Sequence, residues 1–316
     1  MIVINRKVTV GKRYYWLLAI FVITYAATIL FFQPDSIALA RYHINATQLR
    51  ILSLTIVIPA VAIWFAAFYS LVNVSKYTKK INDSPDGKGF EYLNLGLIIL
   101  GFSLPVSSII SRLLSYSAQQ GAVSQTLSTI ISTHLSIIFY FFTFYFLYKG
   151  SLILLRTVKD ARLSSRQVAI VILALCTVGV PYFVASLSNP SRTAAVAPAT
   201  AATYYMPDWL IVATIIVPYL ITWAFGFFAT MLLHTYHNKV RGKIYRSSLS
   251  KLNRGFFMVI VTTVIVQFIT AATTSISGWG LSAILTLLYV FLAFTAVGFV
   301  LIALGAKALS KLEEVT

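Results

Sequence analysis

The sequence predicts an all-α, polytopic integral membrane protein of eight transmembrane helices. They are arranged as two parallel four-helix repeats, with N- and C-termini cytoplasmic. Three observations carry this expectation. The first is composition: of 316 residues, 59% are hydrophobic and only 10% charged, with mean hydropathy +0.84. Soluble domains hold about 25% charged residues, so a soluble fold, a disordered chain and a collagen-like chain are excluded. The second is the distribution of Lys and Arg around the apolar runs. The third is a segment that recurs 159 residues later.

Eight apolar runs reach the length of about 20 residues needed to cross a hydrocarbon core about 30 Å thick. In order they are Tyr14–Phe32, Leu49–Val74, Leu93–Ser117, Leu127–Leu147, Gln167–Ser188, Asp208–Leu233, Gly255–Ser277 and Leu281–Leu304. The first run has a basic flank and Ala38-Leu39-Ala40 beyond it, which mimics a signal peptidase site. Its length favours retention as a helix.

The cations alternate at every loop. With the N-terminus inside, 21 of the 25 Lys and Arg residues fall on the inner side, and only Arg41, Arg50, Arg112 and Arg192 fall outside or near it. Such an asymmetry sets orientation, with Lys and Arg kept cytoplasmic. The plasma membrane is the expected location, with anionic lipid as the expected cytoplasmic partner. The basic residues sit in short loops next to the membrane, so the net charge of +17 does not point to nucleic acid.

Positions 55–110 match 214–269 without a gap. Thr55 meets Thr214, Pro59 meets Pro218, Trp64 meets Trp223, Tyr77 meets Tyr236, and Leu93-Asn94-x-Gly96 meets Leu252-Asn253-x-Gly255. The fourth run fits the eighth at a slightly smaller shift, pairing Gly150 with Gly305. The repeat unit is four helices, dividing the chain at 1–160 and 161–316. An even number of spans restores the starting orientation, so the repeats are parallel, related by an axis along the membrane normal.

Pro59 and Pro218 each remove a backbone N–H and free a carbonyl one turn earlier, so both are expected to kink their helices. Trp64 and Trp223 fall near mid-membrane, where each indole N–H needs an acceptor. The freed carbonyls are the nearest candidates.

Ionisable groups within the spans are the expected functional leads. Arg112 lies about five residues from the outer end of the third span, and His134 lies at a similar depth in the fourth. Arg112 is open to snorkelling, a buried ion pair or a ligand contact, and His134 to packing, an interhelical bond or a ligand contact. Ser108, Ser111 and Ser115 share one face of the third span, while Gln267, Thr270 and Thr274 occupy the matching positions of the seventh. Either the two stripes pack together across the pseudo-dyad, or they line a polar pocket open to the outside.

All eight carboxylates lie in loops, tails or helix ends, and Asp83-Ser-Pro-Asp86-Gly reads as an exposed turn. Cys176 is the only cysteine, so there is no disulfide framework. No catalytic motif, metal site or cofactor is expected. The helix count and repeat type are similar to the haem A synthase architecture. That family needs paired histidines in both halves, and the second and eighth spans here contain none.

The expected function is a non-catalytic membrane module: a scaffold, sensor or subunit of an assembly, with a protein partner or a second copy. The alternative is a transporter or channel for a small or amphipathic solute, using an outward pocket between spans 2, 3, 6 and 7.

Overall fold

The computed structural model describes residues 9–31, 46–122, 125–158, 162–187, 208–275 and 281–312. All their regular structure is helical: α1 (Thr9–Phe31), α2 (Ala46–Lys80), α3 (Gly87–Gln119), α4 (Gln125–Thr157), α5 (Ser165–Leu187), α6 (Asp208–Lys239), α7 (Lys243–Ser275) and α8 (Leu281–Ser310). Seven of them, α2 to α8, are long and apolar enough to cross a membrane, and α1 carries a shorter apolar stretch, Tyr14–Ala27. The chain is therefore a multi-pass helical membrane protein. Residues 32–45 and 188–207, with the Ala38-Leu39-Ala40 triplet and the Arg192 loop, lie outside the described residues.

Several helices are longer than the apolar runs suggest. α2 has 35 residues, roughly 52 Å at 1.5 Å per residue, against a core of about 30 Å. The excess of α2, α3, α6 and α7 gathers at the end of the bundle that carries the α2–α3 and α6–α7 turns. Most of the basic residues are here, and we call it the basic end. Large apolar side chains such as Trp16, Ile58, Phe65, Leu173 and Phe294 face outward, as they do where the solvent is lipid.

The packing follows one rule. α3 lies tightest on α4, and α7 on α8. α4 reaches across to α6, and α8 reaches across to α2. α2 touches α3 as α6 touches α7, which closes a ring of six helices. α1 sits outside on α2 and α3, and α5 sits outside on α6 and α7. Each of these pairings in α1–α4 has its counterpart in α5–α8, or its mirror across the two sets.

Gly150 and Gly305 show why the tight pairs are tight. A Cβ on Gly150 would stand 2.7 Å from the Gly89 carbonyl oxygen and 2.9 Å from the Leu93 nitrogen. A Cβ on Gly305 would stand 2.7 Å from the Ser248 carbonyl oxygen and 2.9 Å from the Leu252 nitrogen. Only glycine lets the backbones approach this closely, the usual device where helices associate without a hydrophobic drive.

The two prolines that the sequence reading pairs sit in different backbones. Pro59 lies within the continuous α-helix of α2, whereas Pro218 follows a π-turn at Val212–Ile216. The looser turn accommodates the missing N–H of Pro218. Thr222 Oγ donates to the Pro218 carbonyl at 2.7 Å.

Trp64 and Trp223 are buried, each against a tyrosine of the outer helix. The expected acceptor for the indole is missing in one case: Trp223 Nε1 is buried and bonds to nothing. The indole packs into the aromatic cluster of Tyr182 and Tyr219.

Candidate functional site

Among the described side chains, the outer positions make no contact with one another that forms a shared site. Arg112 places its guanidinium 5.5 Å from the ring centroid of Tyr25 on α1, a cation–π contact at the periphery. Ser108 Oγ donates to the Leu104 carbonyl at 2.8 Å, on its own helix. His134 Nδ1 donates to the Ile130 carbonyl at 2.8 Å, which assigns the proton to that nitrogen. Ser111 and Gln267 are half-buried, and the side chains of Thr270 and Thr274 lie outside the described residues.

Among the described residues, no close packing of the third span on the seventh is present. α3 and α7 make at most a glancing contact, because each is already taken up by its own hairpin partner.

The basic end is where polar groups meet. Asp86, at the start of α3, accepts hydrogen bonds from Thr157 Oγ of α4 at 2.6 Å and from Tyr236 OH of α6 at 2.6 Å. Tyr245 OH of α7 lies 3.4 Å from the same carboxylate oxygen and 3.0 Å from the Tyr236 hydroxyl. Asp86 is thus half-buried and shared by four helices, a correction to the exposed turn expected of Asp83-Ser-Pro-Asp86-Gly. The turn forms as expected, with Ser84 and Gly87 backbone N–H groups bonded across it, and Asp83 is exposed. What the sequence concealed is that Tyr236, fully buried, reaches 150 positions back to claim the second acid.

Other contacts tie the same end together. Lys80 Nζ caps α8 by donating to the carbonyls of Ser310 and Leu312 at 2.9 and 3.3 Å, where the helix dipole favours a cation. Ser310 Oγ donates to Asn73 Oδ1 at 3.0 Å, and Gln167 Nε2 of α5 donates to Thr235 Oγ of α6 at 3.0 Å.

Beside this knot a crevice of about 770 Å³ opens between the end of α6 and the start of α7. Arg241, Lys243, Arg246 and Arg254 line it, with no carboxylate among the lining residues. His237 and Asn253, 7% and 8% exposed, also line it. Among the described residues no cluster of three or more His, Cys, Asp or Glu side chains could hold a metal ion.

Fold and site together define an all-helical multi-pass membrane protein with a polar knot and a basic crevice at one end. Comparison with protein-family models, with curated proteins and with solved structures gives no match.

Proposed function

We propose that the chain is a non-catalytic membrane module: a scaffold, sensor or subunit whose basic face meets anionic lipid and an acidic protein partner or a second copy of itself. In this reading it has eight spans, α1 included, built as two parallel four-helix repeats at 1–160 and 161–316. Both termini are cytoplasmic, and the membrane is the plasma membrane.

One observation carries the reading. Every helix pairing in α1–α4 is matched by one in α5–α8, and the two sets exchange contacts through α4–α6 and α8–α2. A closed frame of this kind holds its basic end in one shape. Asp86 serves that frame. Among the described residues it is the one carboxylate that is not exposed, and hydroxyls from three other helices surround it. A catalytic acid needs access to substrate, which an acid engaged in this way lacks.

The transport reading draws less support. It needs spans 2, 3, 6 and 7 to enclose a shared outer pocket, and Arg112, the cation expected there, turns to Tyr25 of α1.

Crosslinking in intact membranes tests the module reading. Short lysine-reactive crosslinkers applied from the basic side should capture a dimer or a heteromeric adduct. A chain that remains monomeric, and that carries solute flux after reconstitution into liposomes, would overturn it.

A further inference from the structure

The crevice between α6 and α7 is more than a basic loop. The segment from His234 to Arg254 holds six Lys and Arg residues and no acid. The matching positions 159 residues earlier hold Asp83, Asp86 and Glu91 among their cations. Arg241, Lys243, Arg246 and Arg254 correspond there to Asn82, Ser84, Gly87 and Leu95. The conserved asparagine of the repeat behaves differently as well. Asn94 accepts from Ser75 Oγ at 2.9 Å, whereas Asn253 Oδ1 is buried with no partner. His234 stands where Ser75 stands and bonds elsewhere.

Those bonds fix the protons in the crevice. Arg246 Nη2 donates to Asn238 Oδ1 at 3.1 Å, so the amide nitrogen of Asn238 points the other way. That nitrogen can only donate, and it lies 3.0 Å from His234 Nε2. A neutral His234 therefore carries its proton on Nδ1, which lies 3.2 Å from His237 Nε2. His237 Nε2 accepts, and a neutral His237 carries its own proton on Nδ1. This last N–H is buried and has no acceptor. The relay runs from a cation to an orphaned donor, in a crevice that Asn253, with its orphaned amide oxygen, also lines.

Two unpaired polar atoms in a cation-lined crevice are costly unless something completes them. We infer that the α6–α7 crevice binds a phosphoryl group bearing a hydroxyl, presented by a lipid headgroup or by a free phosphorylated molecule. The phosphoryl oxygens accept from the cations and from His237 Nδ1–H, and the hydroxyl donates to Asn253 Oδ1. The volume of about 770 Å³ suits a headgroup or a small phosphorylated molecule better than a bare ion. The assignment rests on the reading of the basic face as a surface for anions, and narrows it to one crevice.

The test uses the full chain in nanodiscs of phosphatidylcholine, with inorganic phosphate as one probe and phosphatidic acid mixed into the disc as the other. Chloride at equal ionic strength is the reference for the first probe, and phosphatidylserine, which brings negative charge without a phosphomonoester, for the second. Either probe should raise Tm by about 2–4 °C over its reference. A shift with inorganic phosphate assigns a free phosphorylated ligand, and a shift with phosphatidic acid alone assigns the lipid headgroup. The variant R241Q/R254Q, which spares the Arg246–Asn238 contact, should abolish the shift. K76Q/K79Q, which removes the same charge from exposed positions of α2, should keep it.

H237F separates a ligand site from a structural one. Removing the orphaned N–H should raise Tm without ligand and reduce the shift with ligand. A lower Tm with an unchanged shift overturns the role of His237. Equal loss in R241Q/R254Q and K76Q/K79Q means diffuse attraction, which overturns the crevice and leaves the anionic-face reading standing. If neither probe, nor phosphatidylserine over phosphatidylcholine, moves the wild type, both readings fail.

Discussion

Tyr25 of α1 stands edge-on to Trp64 of α2, with ring centroids 5.2 Å apart at 66°. Tyr182 of α5 stands to Trp223 of α6 in nearly the same way, at 5.0 Å and 67°. Each pair pins an outer helix to the ring. The two pairs differ in what surrounds the indole, and Trp223 Nε1 lacks an acceptor. Trp223→Phe keeps the edge contact and discards an unsatisfied donor worth about 1–3 kcal/mol. It should leave thermal stability unchanged or raised, whereas Trp223→Ala should lower it by about 3–5 kcal/mol. Thermal unfolding followed by circular dichroism in detergent checks both.

The tight hairpins give a steric prediction. Gly150→Val and Gly305→Val should each lower the folded yield sharply, because the added carbons meet backbone atoms at 2.7 and 2.9 Å. Overpacking usually costs about 1–3 kcal/mol, and rigid backbone on the facing helix gives no room to relax. Gly101→Ala is the control: a Cβ there meets nothing within 4 Å. Size-exclusion profiles of fluorescent fusions would separate the three. Equal behaviour of all three would refute the close-approach account.

The membrane class and the seven membrane-length helices were legible because hydropathy is a local property and survives any tertiary arrangement. The repeat reading leans on proline, tryptophan and asparagine because they are scarce in so apolar a chain. Partner choice was not legible. The spacing of Ser108, Ser111 and Ser115 marks a face of α3 but names no neighbour, and Ser108 spends its hydroxyl on its own helix. The capture of Asp86 by Tyr236 and Tyr245 was hidden for a similar reason: two tyrosines 150 and 159 positions away carry no local signal. The crevice was in plain view but already explained, since the cations of the α6–α7 turn satisfy the orientation rule without any ligand.

Asp86 and Tyr236 should be energetically coupled across the two sets of helices. Asp86→Asn alone weakens charge-assisted bonds from Tyr236 and Thr157, and Tyr236→Phe alone leaves the acid with fewer donors. The double variant should lose less than the sum of the two, with a coupling of about 1–3 kcal/mol. Additive losses would mean that the knot does not bind the halves together.

Histidine tautomers offer a readout independent of stability. In protein labelled with ¹⁵N-histidine, the neutral rings of His234 and His237 should both carry the proton on Nδ1, the less common form. Asn238→Leu removes the donor that holds His234 Nε2 as an acceptor and leaves every cation in place. It should release His234 to the Nε2-protonated form, and His237 should follow. A native Nε2–H signal for His237 would break the proton relay at its last step.

Orientation follows from two turns at opposite ends of the bundle. Asp83 lies in the α2–α3 turn and Gln120 in the α3–α4 turn, and both are exposed. Helix α3 connects them with 33 residues, long enough to put them on opposite faces of a bilayer. The free Cys176 is exposed on α5 and has to be replaced by serine first. In that background a cysteine at Gln120 should react with an impermeant maleimide on intact cells, and one at Asp83 only after lysis. The reverse pattern would place the basic crevice outside the cell, away from the anionic leaflet, and would remove the lipid arm of the phosphoryl assignment while leaving its chemistry intact.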